Sequence, residues 1–301
     1  MSTPIQTLSR NSIIYAFDRQ ATAAIEIESG QTLVFETHDA RTGTISSDAD
    51  LLDQPHPDGA NPATGPVRVR SAQPIDSLSV HILKIELPER AFVAVKKGVG
   101  LLADRATQHA TRVLNVVDNE VHFSDKLRFT TRPMVGVIGT APAGDPVETA
   151  YPGAHGGNMD NRYVTEGATI HLPIQIPGAL LALGDIHAAM GDGEITMVGL
   201  ESAAKITAQV DLNRGVWVDR PWIERPDCWV TTGDDIDPAV SLRIAADQMA
   251  TLLQRRLHLS FEEAYMLMSA TCDVQICQAC DPGNFPVTSR AVFPLDQVRR
   301  L

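Results

Sequence analysis

The chain is poor in aromatics, cysteine and lysine, and each shortage removes a class of protein. Aromatic residues make up 5% of its 301 residues, with three Trp and four Tyr, few for stacking on sugar rings. Lys and Arg number 25 against 37 Asp and Glu, and a net charge of -12 lacks the positive footprint that nucleic acid or an anionic membrane requires. Partners are expected to be small and neutral, or cationic. No apolar run approaches the length of a membrane span, and Met1 to Gln6 lacks the basic-then-apolar layout of a secretory leader. A soluble, cytoplasmic protein is expected. Four cysteines make no disulfide framework in a chain this long, so reduced thiols are expected. Cys277-Gln278-Ala279-Cys280 has redox or zinc spacing, but no second CxxC accompanies it and residues three apart on a strand face opposite sides. These thiols read as structural.

What is present is mostly of period two. Ile206, Ala208, Val210 and Leu212 alternate with polar residues, as do Ile170, Leu172, Ile174 and Ile176, where Pro173 implies an edge or a bulge. Gln31 to Glu36 is another strand. Val80 and Ile82 pass out of phase into Leu83, Ile85 and Leu87, which suggests a bulge or burial on both faces. Helical spacing appears only in the C-terminal third. Leu242, Ala245, Met249, Leu252 and Leu253 form one stripe, with Asp237 as N-cap and Pro238 in the first turn. Ser260 to Glu263 has the form of a capping box opening a second helix, and Val274 to Cys277 returns to strand. Loop material concentrates at Ser47 to Pro74 and Pro142 to Asn161, and no repeat is visible. The expected fold is mainly β with an α part, a sandwich or barrel with two helices in the C-terminal third. Its length fits one β-rich unit over 1–301, or two intimately packed sub-domains of about 1–145 and 146–301.

Two segments carry chemistry. Gly184 to Glu194 packs Asp185, His187, Asp192 and Glu194 between the apolar runs 179–183 and 195–198. Alternate residues of an extended chain share a face, so Asp185 pairs with His187 and Asp192 with Glu194. If the flanking runs are neighbouring strands, both pairs meet at one end of a sheet. Carboxylates brought that close raise one another's pKa unless a cation or shared proton relieves them, and neutral imidazole with carboxylates is a usual zinc set. His155 to Asp160 places Asn158 and Asp160 on one face behind glycines that admit a close backbone approach.

The ordered motifs 156–160, 172–173, 178–179, 184–185, 187–189 and 191–194 resemble the central signature of the acetamidase/formamidase family. Further likenesses at 61–66, 132–139, 262–267 and 281–282 extend it over nearly the whole chain. The resemblance implies a β-dominated fold with appended helices, hydrolysis of short carboxamides to ammonia and the acid, and a divalent metal, zinc. Met190 stands where many members have glutamine, and a thioether cannot donate an amide's hydrogen bonds.

Amide hydrolysis needs an activated nucleophile, oxyanion stabilisation and a proton for the departing amine, and zinc supplies the first two. On this reading Asp185 and His187 are ligands, completed by Asp160 or Asp192. Glu194 shuttles a proton, with Asp192 beside it as a second acid, and Asn158 holds the substrate amide. Serine–lysine chemistry lacks its residues: none of Lys84, Lys96, Lys97, Lys126 and Lys205 stands beside a Ser-rich glycine segment. Cys228, between Asp227 and Trp229, lacks the Glu and Lys of a nitrilase-type thiol and reads as buried. Two other classes remain: a carbohydrate-active or carbohydrate-binding β-domain with structural calcium, and a catalytically idle scaffold. Calcium suits the carboxylates but not His187. Alternating strands and apolar C-terminal helices leave surface for a homodimer.

Overall fold

The computed structural model describes residues 5–298; Met1–Pro4, part of the segment without a secretory layout, lie outside them. Among the described residues the strands form a nine-stranded sheet, a twelve-stranded sheet and a small ribbon of Ala16–Phe17 with Val147–Glu148. Each large sheet takes strands from both halves of the chain.

Alternation decides which face each sheet buries. Leu33, Val80, Ile170 and Ile206 of the nine-stranded sheet share one core with Val135, Leu181, Leu183 and Ile186 of the twelve-stranded sheet. Burying each such side chain contributes about 1.5–3 kcal/mol, enough for the apolar faces to set the packing of a sandwich. In the nine-stranded sheet Lys205–Asn213 runs antiparallel between Gln31–Glu36 and Ser77–Glu86. Its register shifts between Thr207 and Ala208, which leaves Leu83 without an opposite number and turned to solvent. That bulge is the phase change read in the sequence. Thr169–Pro173 is an interior strand, with Pro173 at its end beyond His171, where the ladder to Trp222–Glu224 stops.

The 47–74 segment corrects the loop expectation. Ala63–Val69 is a buried strand of the twelve-stranded sheet, bonded along Leu181–Ala189. The register shifts between Leu181 and Leu183, opposite Gly65 and Pro66, so the proline sits in a bulge where no ladder N–H is needed. A Cβ on Gly65 would stand 2.8 Å from that of Ala182.

Helix α1 spans Pro238–Leu257, capped by Asp237, whose carboxylate accepts from Ala239 N at 2.8 Å. Helix α2 spans Phe261–Thr271 behind the Ser260–Glu263 capping box. Ala245, Met249 and Leu253 pack with Ala264 and Met268 onto Ala291 and Phe293, while Leu242 and Leu252 are only partly buried. The chain then returns as Asp273–Gln278, last in the nine-stranded order beside Val287–Pro294. Among the described residues no helix is long and apolar enough to cross a membrane.

Candidate metal centre

The first half of the carboxylate-rich segment is interior strand, not a hairpin tip, and Asp192 and Glu194 follow it in a turn. Leu181–Ala189 is continuous and buried up to Ala188, so Asp185 and His187 lie inside the sandwich. One flank pairs with Met134–Gly139; the other pairs first with Ala63–Val69 and then with Leu200–Ser202. The expected partner run, 195–198, is a turn. Glu194 and Met197 adopt φ +41° and +71°, and Met197 N bonds Glu194 O at 2.8 Å, so the chain folds back before pairing resumes at Leu200. Asp160 and Asp185 also have positive φ, at +42° and +54°. Three acids of one cluster in a sparsely populated backbone region are a concentration of strain typical of functional sites.

The cluster closes around one imidazole nitrogen. His187 Nε2 lies 3.3 Å from Glu201 Oε1, 3.7 Å from Asp185 Oδ2, 3.9 Å from Glu194 Oε1 and 4.0 Å from Asp160 Oδ1. All five residues are between 1% and 6% exposed. Two glycines make the room. A Cβ on Gly136 would fall 2.6 Å from Asp160 Oδ1 and 2.9 Å from Asp185 Oδ2, and one on Gly199 would fall 2.6 Å from His187 Nδ1. Gln278 ties the acids together, donating from Nε2 to Asp160 Oδ2 at 2.8 Å and to Glu194 Oε2 at 3.2 Å. It reaches them because Gly193 N bonds Cys277 O at 2.7 Å and Ala279 N bonds Gly193 O at 2.9 Å.

Four carboxylates against one imidazole are not balanced. Two unit charges 4 Å apart repel by about 4 kcal/mol even at an effective dielectric of about 20, so this group needs protons or a cation. Burial first, then Glu194 and Asp185, push Asp160 well above the usual carboxylate range against the pull of His187. Burial likewise raises Glu201, with Asp185, Glu194 and Asp160 adding to it, and burial and Asp185 raise Glu194. Burial works against a charge on His187, but Glu201, Asp185 and Glu194 outweigh it and hold the imidazole well above its ordinary value. Asp160 Oδ1, Asp185 Oδ1 and Glu201 Oε2 have no hydrogen-bond partner. Asp160, Asp185 and His187 offer ligand atoms within 4.8 Å of one another, as do His187, Glu194 and Glu201. Hard oxygen donors with one imidazole fit a divalent cation.

Asn158, Asp185, Glu194, Glu201 and Gln278 line a cavity of about 180 Å³. Asp192 lies outside the cluster. Arg290 grips its carboxylate through Nη1 at 2.9 Å and through Nη2, and Arg162 approaches at 3.2 Å. Arg290 is fully buried and also donates to Gln275 Oε1 and, at 3.4 Å, to Cys277 Sγ. Met190 lies in an adjoining groove with Arg132 and Leu200, which shares Glu194 and Val198 with the cavity. All four cysteines are free, and burial pushes Cys228, Cys277 and Cys280 up to about 12 and Cys272 to about 11.

Sequence reasoning missed Glu201 and Gln278. The signal for Glu201 is one carboxylate directly after the apolar run 197–200; Gln278 stands between two cysteines of CxxC spacing.

A two-sheet β protein with a buried carboxylate–imidazole pocket that could hold a cation is the class that fold and site define. The sequence profile of the Acetamidase/Formamidase family matches residues 14–150 and 143–296, and the chain belongs to that family. The structure is similar to an acetamidase from Bacillus halodurans, with TM-score 0.92 and 34% identity over 97% of this chain and 98% of that one. It is equally similar, at TM-score 0.92 and 37% identity, to a predicted acetamidase/formamidase from Thermoanaerobacter tengcongensis, covering 96% and 95% of the two chains. An acetamidase of Mycolicibacterium smegmatis is 41% identical over 76 residues, 25% of this chain and 19% of that one. The chain spans less than two thirds of the curated relatives it matches, reaching 60% of one from Schizosaccharomyces pombe.

Proposed function

We propose that the protein hydrolyses a small carboxamide to ammonia and the carboxylic acid with the help of a divalent cation, zinc, held by Asp160, Asp185 and His187. The observation that carries this is the surplus of buried, partly unpartnered carboxylate oxygens around His187 Nε2 at the floor of a cavity. A cation bound there supplies Lewis acidity, which acidifies water and polarises a carbonyl oxygen.

The protein's own groups do the rest. Glu201, fixed by Gly199 N at 2.9 Å, lies against the imidazole and adds negative charge to the cation's surroundings. Gln278 anchors Glu194 through Oε2, which leaves Oε1 to take a proton from the attacking water and return it to the departing nitrogen. Asn158 faces the cavity with a carboxamide of its own, and Gln278 Oε1 has no partner. Both would hold the substrate's amide. Asp192, held by Arg290, steadies the turn that carries Glu194. Calcium at the same residues is the second reading, favoured by four carboxylates against one nitrogen.

Ammonia release from a panel of amides, before chelation, after it, and after zinc is restored, tests the proposal. Activity that disappears with chelation and returns with zinc supports it; no release from any amide with metal bound removes amide hydrolysis.

A further inference from the structure

The cavity is larger than the smallest amides need, and Leu52, Phe92, Met197, Val198 and Phe285 give it an apolar side, while Arg41, Gln54 and Lys96 also reach its lining. Its volume is about 180 Å³. Water occupies about 30 Å³ in the liquid, and an apolar cavity of about 150 Å³ is enough for benzene. Formamide on the carboxylate floor would leave most of this space to water against hydrocarbon. Leu52, Phe92 and Val198 pack with Ala94 into one buried cluster that forms a wall, and Met197 and Phe285 also face the cavity. The wall is already in place. Leu52 is 7% exposed, and its loop is pinned where Arg41 Nη2 donates to Gln54 O at 3.0 Å.

We propose that the pocket selects amides whose acyl group is an apolar chain of about four to six carbons or a phenyl-sized ring, with Leu52, Phe92 and Val198 reading that group. Floor and wall divide the work. The carboxylates, Asn158 and Gln278 hold the polar carboxamide end, and the acyl group displaces water from the hydrocarbon face. Part of the 47–74 segment is thereby a fixed wall of the pocket. The proposal rests on amide hydrolysis at this site and specifies its substrate class.

The test compares kcat/KM for formamide, acetamide, butyramide, hexanamide and benzamide on the purified metal-loaded protein. Binding of ethanol, butanol, hexanol and benzyl alcohol, which have no C–N bond to break, is measured by NMR titration in parallel. Each added methylene is expected to raise kcat/KM and tighten alcohol binding about fourfold until the chain fills the cavity. Benzamide should exceed acetamide by on the order of 100-fold. Leu52→Trp and, independently, Val198→Phe should erase the advantage of hexanamide over acetamide, with thermal unfolding confirming that each variant is folded. An alcohol trend without hydrolysis of any amide would support the apolar pocket and defeat the hydrolytic reading. Hydrolysis of formamide and acetamide at least as fast as hexanamide and benzamide, with no trend among the alcohols, would overturn this proposal and leave the hydrolytic reading standing.

Discussion

Asp192 and Glu194 stand two residues apart and meet buried charge in opposite ways. Asp192 faces Arg290, whose guanidinium is matched by that carboxylate, Gln275 and the Cys277 sulfur. Glu194 faces His187 among three further carboxylates, with negative charge in excess and several oxygens unpartnered. Gly193, pinned through its backbone to Cys277 and Ala279, separates the two. A buried guanidinium whose charge is matched by a partly exposed carboxylate is structure, whereas a buried group that balances only when something is added is prepared for a ligand. His155 shows a third solution: burial and Arg220 push it down to about 4, so it stays uncharged.

The largest expected effect is at Glu194. Glu194→Gln keeps the shape and removes proton exchange, so amide turnover should fall by about 10²–10⁴-fold while metal content is unchanged. Full activity would take Glu194 out of the reaction. Next comes the balanced pair. Asp192→Ala strands the buried Arg290 charge and should destabilise the fold by about 3–5 kcal/mol in urea unfolding. Adding Arg290→Leu should restore part of that loss, whereas strictly additive losses would show that the two residues are not coupled.

The smallest effect concerns His155. Its folded value near 4 lies below the ordinary 6.5, so the unfolded chain takes up the proton first and stability falls as pH drops between those values. The loss should approach roughly 3 kcal/mol at the acid end, and His155→Phe should flatten the slope. An unchanged slope in that variant would assign the acid sensitivity elsewhere.

Much of this was legible in the sequence, because periods of two and 3.6 and the capping residues are local. Gln31–Glu36 and Lys205–Asn213 follow their alternation, the bulge at Leu83 follows from a phase change, and Asp237 and Ser260 cap as their types require. Asp185 and His187 were visible because both belong to one strand. Asp192 was grouped with Glu194 on the assumption of extended chain, which the positive φ of Glu194 breaks. Glu201 and Gln278 arrive through pairing across strands, His187 opposite Glu201 and Gly193 opposite Gln278, and neither pairing is encoded within one segment. Ala63–Val69 was hidden by Pro62, Gly65 and Pro66, whose turn chemistry serves a bulge inside a sheet.

Metal content tests the contrast between the two acids most directly. The wild-type protein, His187→Ala and Asp192→Asn would be dialysed against zinc, washed free of unbound metal and analysed by mass spectrometry, with folding checked by thermal unfolding. The account predicts stoichiometric divalent metal in the wild type and in Asp192→Asn, and its loss from a folded His187→Ala. Metal retained by His187→Ala, or none bound by the wild type, would contradict it.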